Sequence, residues 1–262
     1  MELAMSNIAW KAEWDEQVYS LMKEYGFSGL EIAPTRWITE KPYERISEAL
    51  EINQKNILTY QLPAVSMQSI WYGRQENIWR SEEERKLLVE YTKKAIDYAS
   101  ALKIKNLVFG CPKNRNMVAE CDLDIAVEFF RELGEYACEK GTVLAMEPNP
   151  TIYGTNYINT TKQAVELVKN INSKGFKLNL DFGTIVANEE DTGAIEEYVD
   201  EINHVHISEP MLKLIEKRKE HTALADVLRK KAYNKYVSIE MGNQEDFQCL
   251  SDTMEYIKEV FG

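Results

Sequence analysis

Short apolar runs alternate with amphipathic stretches from one end of the chain to the other. The runs predict strands at Leu3–Ala9, Gly29–Pro34, Leu62–Gln68, Asn106–Gly110, Val143–Glu147, Lys177–Asp181, Val205–Ser208 and Tyr236–Met241. Helices are predicted between them. Val18, Leu21, Met22 and Tyr25 follow the i, i+3, i+4, i+7 stripe of a buried helix face. Ser81 and Glu84 predict a capping box at the start of a long helix through Leu88, Tyr91, Ala95 and Leu102. Phe129, Phe130, Leu133 and Ala137 line another, which Gly141 ends in the left-handed conformation. Phe247, Leu250, Met254, Ile257 and Phe261 predict a closing helix.

Eight such units average about 33 residues, the size of a βαβ step. No Pro/Gly/Ser linker or low-complexity tract divides the 262 residues. The expectation is therefore a single α/β domain over 1–262, a (β/α)8 barrel, for which about 250 residues is typical. An open doubly wound sheet is the structural rival. No GxGxxG follows the first strand and no GxxxxGK[ST] occurs, which counts against nucleotide binding.

The formal charge of −12 makes a phosphate backbone or anionic membrane an unfavourable partner. The short basic cluster Lys217-Arg218-Lys219 is flanked by Glu216 and Glu220 and reads as a solvated face. Four scattered cysteines form no CxxC pair, as expected of reduced thiols in a cytoplasmic protein. The stretch MELAMSNIAW lacks a basic region followed by an apolar run, so no secretory signal is expected, and no apolar run is long enough to span a membrane.

Four strands end on a candidate metal ligand: Glu147 in VLAMEPNP, Asp181 in KLNLDFGT, His206 in HVHISEP and Glu240 in VSIEMGN. Each lies one βα step from the next, so they occupy four successive strands. Alternate residues of a strand face opposite sides. Each ligand is flanked by larger apolar neighbours that pack outward, so the four side chains point inward at the C-terminal face, where barrels of this kind do chemistry. Three carboxylates and an imidazole crowded there require compensation, because buried uncompensated charge costs several kcal/mol or more per group. One divalent cation supplies it. The oxygen-rich set favours Mn²⁺ or Mg²⁺, with Co²⁺ and Zn²⁺ also able to bind.

With SNIAW (6–10), GLEIAP (29–34), VFGCPKNR (108–115), MEPNP (146–150), HISEP (206–210) and SIEM (238–241), the chain resembles the xylose isomerase-like TIM barrel superfamily of sugar phosphate isomerases/epimerases over essentially its whole length. In the ketose 3-epimerases of that superfamily two glutamates both ligate the metal and move a proton. The resemblance gives those roles to Glu147 and Glu240, with Asp181 and His206 completing the ligand set. Two departures stand out. Thr184 replaces a substrate-binding His three residues after the metal Asp, and Leu212 replaces an Arg six residues after the metal His. The reaction centre is kept while the grip on substrate changes. The related endonuclease-IV type of nuclease needs a trinuclear zinc cluster, which three histidines (His204, His206, His221) cannot supply.

Further candidates follow the strands. His221 is expected near the barrel mouth as a substrate contact or simply a helix-start residue. Lys113 and Arg115 are expected either to bind an anionic group of the substrate or to belong to a solvated loop. Trp10, Trp37 and Trp71 follow strands at the same face, where aromatic walls stack on sugars. Asn149, Tyr153 and Glu209 lie close to ligands and are pocket candidates, and His204 reads as an interior residue able to orient a ligand. Together these features predict a metal-dependent isomerase or epimerase of a sugar, sugar phosphate or related keto-polyol, acting by proton transfer through a metal-stabilised enediolate. The alternatives are a lyase or dehydratase using the same site on a keto-sugar, and a non-catalytic barrel subunit or carbohydrate binder. The expected partner is a small carbohydrate, with no nucleic acid and no membrane; a homo-oligomer is compatible with the sequence but not specified by it.

Overall fold

All eight apolar runs form strands in the computed structural model, which describes residues 1–119 and 121–262. They are β1 (Glu2–Ser6), β2 (Gly29–Ile32), β3 (Ala64–Met67), β4 (Asn106–Phe109), β5 (Leu144–Met146), β6 (Phe176–Asp181), β7 (Ile202–Ile207) and β8 (Tyr236–Ile239). Each pairs parallel with the next, and β8 returns to β1 from Tyr236↔Glu2 to Ile239↔Met5. The sheet is a closed barrel in chain order. Around it run α1 (Asp15–Tyr25), α2 (Pro34–Trp37), α3 (Ile46–Tyr60), α4 (Glu82–Leu102), α5 (Asp124–Glu139), α6 (Thr161–Ile171), α7 (Phe182–Asn188), α8 (Lys219–Lys230) and α9 (Phe247–Phe261). This is the TIM barrel architecture.

Most strand boundaries fall within two residues of the sequence expectation, and two depart by three, each for a local reason. β1 stops at Ser6 rather than Ala9, because the chain turns and Ala9 N donates to Ser6 O at 3.2 Å. β7 begins three residues before Val205. Its polar Asn203 and His204 break the apolar pattern, yet both find polar partners: Asn203 Nδ2 donates to Asn106 Oδ1 at 2.8 Å, and His204 Nε2 lies 3.1 Å from Glu31 Oε2. The register also skips one residue at two places, Val65 on β3 opposite Leu30/Glu31 and Asn203 on β7 opposite Leu178/Asn179. Such bulges re-aim the side chains beyond them. Here those side chains include Ser66 on β3 and His204 and His206 on β7.

Capping residues start the helices. Ser81 Oγ accepts from Glu84 N at 3.2 Å to open α4, while the Glu84 carboxylate accepts from Asn77 N at 2.6 Å instead of closing the box. α6 carries a full capping box from Thr160 and Gln163. Gly141, just beyond α5, has φ +73°, the left-handed value expected of it.

The apolar core lies between strands and helices. Phe109 on β4 packs edge-on against Phe130 of α5 with centroids 4.9 Å apart, and Trp71 packs edge-on against Phe109 at 4.6 Å. Inside the barrel the usual branched apolar layers give way to small and polar residues. Asn106 Nδ2 donates to Ser66 Oγ at 3.0 Å, for example, and reaches Asn179 Oδ1 at 3.5 Å. That polar column rises toward the carboxylates at the mouth. Among the described residues no helix is long and apolar enough to cross a membrane.

Candidate metal centre

Glu147, Asp181, His206 and Glu240 converge at the C-terminal end of the barrel. One ligand atom from each lies within 4.8 Å of all the others. His206 Nδ1 is 2.9 Å from Glu147 Oε1 and 3.1 Å from Glu240 Oε2. All four residues are buried, His206 completely. A divalent ion with bonds of about 2.0–2.6 Å holds its ligands at most about 4–5 Å apart, so the donor set and its spread fit one such ion.

Each ligand is held by its own neighbours. Asp181 ends β6 and is also the N-cap of α7. Thr184 N and Thr184 Oγ1 each lie 2.7 Å from Asp181 Oδ2, and Ser208 Oγ donates to Oδ1. Asn179, two residues back on the same strand face, donates to Glu147 Oε1 at 2.9 Å. Asn149 Nδ2 donates to Glu147 Oε2 at 3.1 Å, while its Oδ1 accepts from Arg115 at 2.7 Å. Gly110 makes room for this arrangement, since a Cβ there would lie 2.8 Å from Glu147 Oε2.

Burial raises the Asp181 carboxyl to about 6, with repulsion from Glu147 adding to the shift. It raises Glu240 to about 7 against the pull of His206, with Glu147 and Asp181 adding repulsion. Burial alone would lower the His206 imidazole, but Glu240 and Glu31 hold it well above its ordinary value. The centre thus carries more negative charge than its side chains can neutralise, and protons compete for it near pH 6–7. A cation would displace them.

A cavity of about 170 Å³ opens above these groups, lined among others by Gln68, Cys111, Tyr153, Ser208 and Leu212. A larger hollow between α4 and α5, about 470 Å³, gathers alternating surface charges such as Glu82, Arg85 and Lys86 without the buried convergence seen here. Of the residues expected to contact substrate, Asn149 and Tyr153 line the cavity. The others lie elsewhere. Arg115 is wholly buried against the loop after β5, where it donates to Glu147 O at 2.8 Å and to Asn149. Lys113 is exposed on the neighbouring 3-10 turn. Trp10 is buried with Nε1 donating to Asp15 Oδ1 at 2.7 Å. Glu209 is engaged by both Nε and Nη2 of Arg218 at 2.7 Å. His221 packs between Phe182 and Phe261, with Nδ1 2.9 Å from Tyr256 Oη. Trp71 caps the core against Phe109 and Phe129. Thr184, read from the sequence as an altered substrate contact, is fully buried and orients Asp181.

Sequence reasoning missed Glu31, Gln68 and Ser208. Glu31 lies wholly buried on β2, with His204 Nε2 at 3.1 Å and His206 Nε2 at 2.9 Å from its Oε2. Its signal was present: Glu31 stands between Leu30 and Ile32 as each ligand stands between apolar neighbours. Ser208, two residues after His206, shares its strand face by the same alternation.

A family model described as xylose isomerase-like TIM barrel matches residues 19–260. None of the curated proteins matches the chain by sequence. Among solved structures, the chain is similar to the 3-keto-D-glucoside 4-epimerase of E. coli, at 22% identity and TM-score 0.79 over 99% of both chains. It is similar to the D-psicose 3-epimerase of Clostridium cellulolyticum H10 with D-tagatose, at 17% identity and TM-score 0.78 over 100% of this chain and 99% of that one. A structure of the IOLI protein with a bound zinc atom matches at 17% identity and TM-score 0.70 over 100% and 95% of the chains. At these identities the likeness speaks for the fold.

Proposed function

The chain belongs to the xylose isomerase-like TIM barrel family, and from that premise we propose that it is a divalent-metal-dependent isomerase or epimerase of an unphosphorylated keto-sugar or keto-polyol. The convergence of Glu147, Asp181, His206 and Glu240 within 4.8 Å carries this reading. A divalent ion held by these four residues would supply the Lewis acidity that stabilises negative charge on a carbonyl oxygen as the neighbouring proton leaves.

Glu147 and Glu240 project from strands three steps apart around the barrel and flank the cavity floor. One takes the proton alpha to the carbonyl and the other delivers a proton to the resulting enediolate. Asn179 and Asn149 donate to the two oxygens of Glu147 and fix its plane. Val108, Pro112 and Leu212 supply the apolar part of the cavity lining, opposite polar groups such as Gln68, Asn149 and Tyr153 that can orient hydroxyls of a sugar.

The preference for an uncharged substrate follows from the lining. It contains three carboxylates and, among the described residues, no Lys or Arg. Phosphate recognition relies on charge-assisted bonds from such groups. The two nearby arginines are committed elsewhere, Arg115 to backbone and Asn149 and Arg218 to Glu209, and the exposed Lys113 is not part of the lining.

Purified protein with Mn²⁺ and a panel of ketoses, keto-glycosides and ketose phosphates in D₂O tests the proposal. Deuterium incorporation at the carbon alpha to the carbonyl, with formation of an isomer or epimer from an unphosphorylated member, is expected. An eliminated product would move the protein to a lyase, and absence of exchange across the panel would sink the enzymatic reading. Turnover confined to the phosphates would overturn the uncharged-substrate part alone.

A further inference from the structure

His206 is approached from both sides by carboxylates. Its Nδ1 faces Glu147 Oε1 and Glu240 Oε2 at 2.9 and 3.1 Å, and its Nε2 faces Glu31 Oε2 at 2.9 Å. A neutral imidazole has one N–H and one lone pair. With the proton on Nε2, the ring donates to Glu31 and turns a lone pair toward the centre. In the other tautomer the Nε2 lone pair would meet a buried carboxylate oxygen, and an N–H would block the ligand position.

Glu31 is built for the first arrangement. It is fully buried on β2, and Gln68 Nε2 donates to its Oε1 at 3.2 Å while also bonding Ser6 Oγ at 2.7 Å. That leaves Oε2 for the imidazoles. His204 Nε2 lies 3.1 Å from the same oxygen. Glu31, His204 and His206 also form a three-residue group whose ligand atoms lie within 4.8 Å. The two groups share one ring, and an imidazole that binds an ion through Nδ1 while keeping its N–H cannot bind a second through Nε2. The Gln68 amide occupying Oε1 as a donor also favours a hydrogen-bonded carboxylate over a second ion.

We propose that Glu31 is a positioning residue that accepts from His206 Nε2–H, making Nδ1 the ligand nitrogen, and that the Glu31–His204–His206 group is not a second ion site. This rests on the metal-centre reading above. Outer carboxylates of this kind fix the tautomer and orientation of ligating histidines and raise their basicity.

Zn²⁺ is a diamagnetic probe, and the chain has three histidines, so ¹⁵N-histidine labelling reports on three rings. In the Zn²⁺-loaded protein, long-range ¹H–¹⁵N spectra are expected to show one ring with metal-bound Nδ1 and protonated Nε2, at one Zn²⁺ per chain. Glu31→Gln is expected to weaken Zn²⁺ binding about 10–100-fold in calorimetry. A loaded His206 protonated at Nδ1, two Zn²⁺ per chain, or unchanged affinity in a folded Glu31→Gln protein would each overturn the role of Glu31. The tautomer measurement needs no variant, so it decides even if the substitution unfolds the chain. Failure of the wild-type protein to bind Zn²⁺ at all would instead overturn the metal centre itself, and this inference with it.

Discussion

Asp181 serves two structures with one carboxylate. As N-cap of α7 it accepts from Thr184 N, and as a strand-end residue it faces the centre. A helix N-terminus favours negative charge, yet burial and the neighbouring Glu147 still raise this carboxyl to about 6, and Glu240 rises to about 7. A cation must displace the protons these groups hold. Metal binding is therefore expected to release protons near pH 6–7 and to weaken as pH falls through that range. Calorimetry in two buffers of different ionisation enthalpy checks it, and equal apparent heats would contradict it. Glu147→Gln and Glu240→Gln are each expected to slow alpha-proton exchange about 10²–10⁴-fold. Unchanged thermal unfolding together with undiminished Mn²⁺ binding would show that the loss lies in the proton transfer.

Among the elements, the loop after β5 carries the most unusual arrangement. Arg115, fully buried, reaches Glu147 O, Asn149 Oδ1 and Ile158 O from the turn after β4. Burial lowers its guanidinium to about 10, but it remains a cation at neutral pH. This places it as a clasp between two βα loops rather than an anion receptor. Arg115→Met would leave several acceptors unpaired at about 1–3 kcal/mol each. A loss of about 3 kcal/mol in unfolding free energy is expected from denaturant titration; a change under about 1 kcal/mol would mean the acceptors find other partners. Sequence could place Arg115 just past a strand but could not aim it. Arginines in loops have no periodicity, and the partner here comes from a different βα unit.

For the molecule as a whole, His221 ties α8 to α9 through Tyr256 and packs on Phe182 after β6. Burial lowers its imidazole to about 4, with Arg218 contributing, from an ordinary value of 6.5. The unfolded chain takes up this proton first as pH falls. The His221 contribution is therefore intact above about pH 6.5 and declines toward pH 4, by about 3 kcal/mol at most. The raised Asp181 and Glu240 act with the opposite sign in the metal-free protein, since there the folded state binds protons first. The difference between wild type and His221→Phe isolates the histidine. The variant is expected to lose less stability between pH 7 and pH 4.5, and parallel losses in the two proteins would refute the assignment.

Strand and helix periods are properties of the local backbone, so eight strands and the inward aim of Glu147, Asp181, His206 and Glu240 could be read from residue spacing, while the closed order of the strands came with the fold. The same alternation marks Glu31 and Ser208, although neither stands out without a partner in view. What residue spacing does not carry is which groups meet across the barrel. The skipped residues at Val65 and Asn203 set the register of β3 and β7, and closure brings Glu31 of β2 against His206 of β7. Side chains such as Arg115, Glu209 and His221, in loops or at a helix start, take whichever buried partner the folded chain offers. Local geometry repeats along the sequence; pairing between distant segments is settled only when they pack.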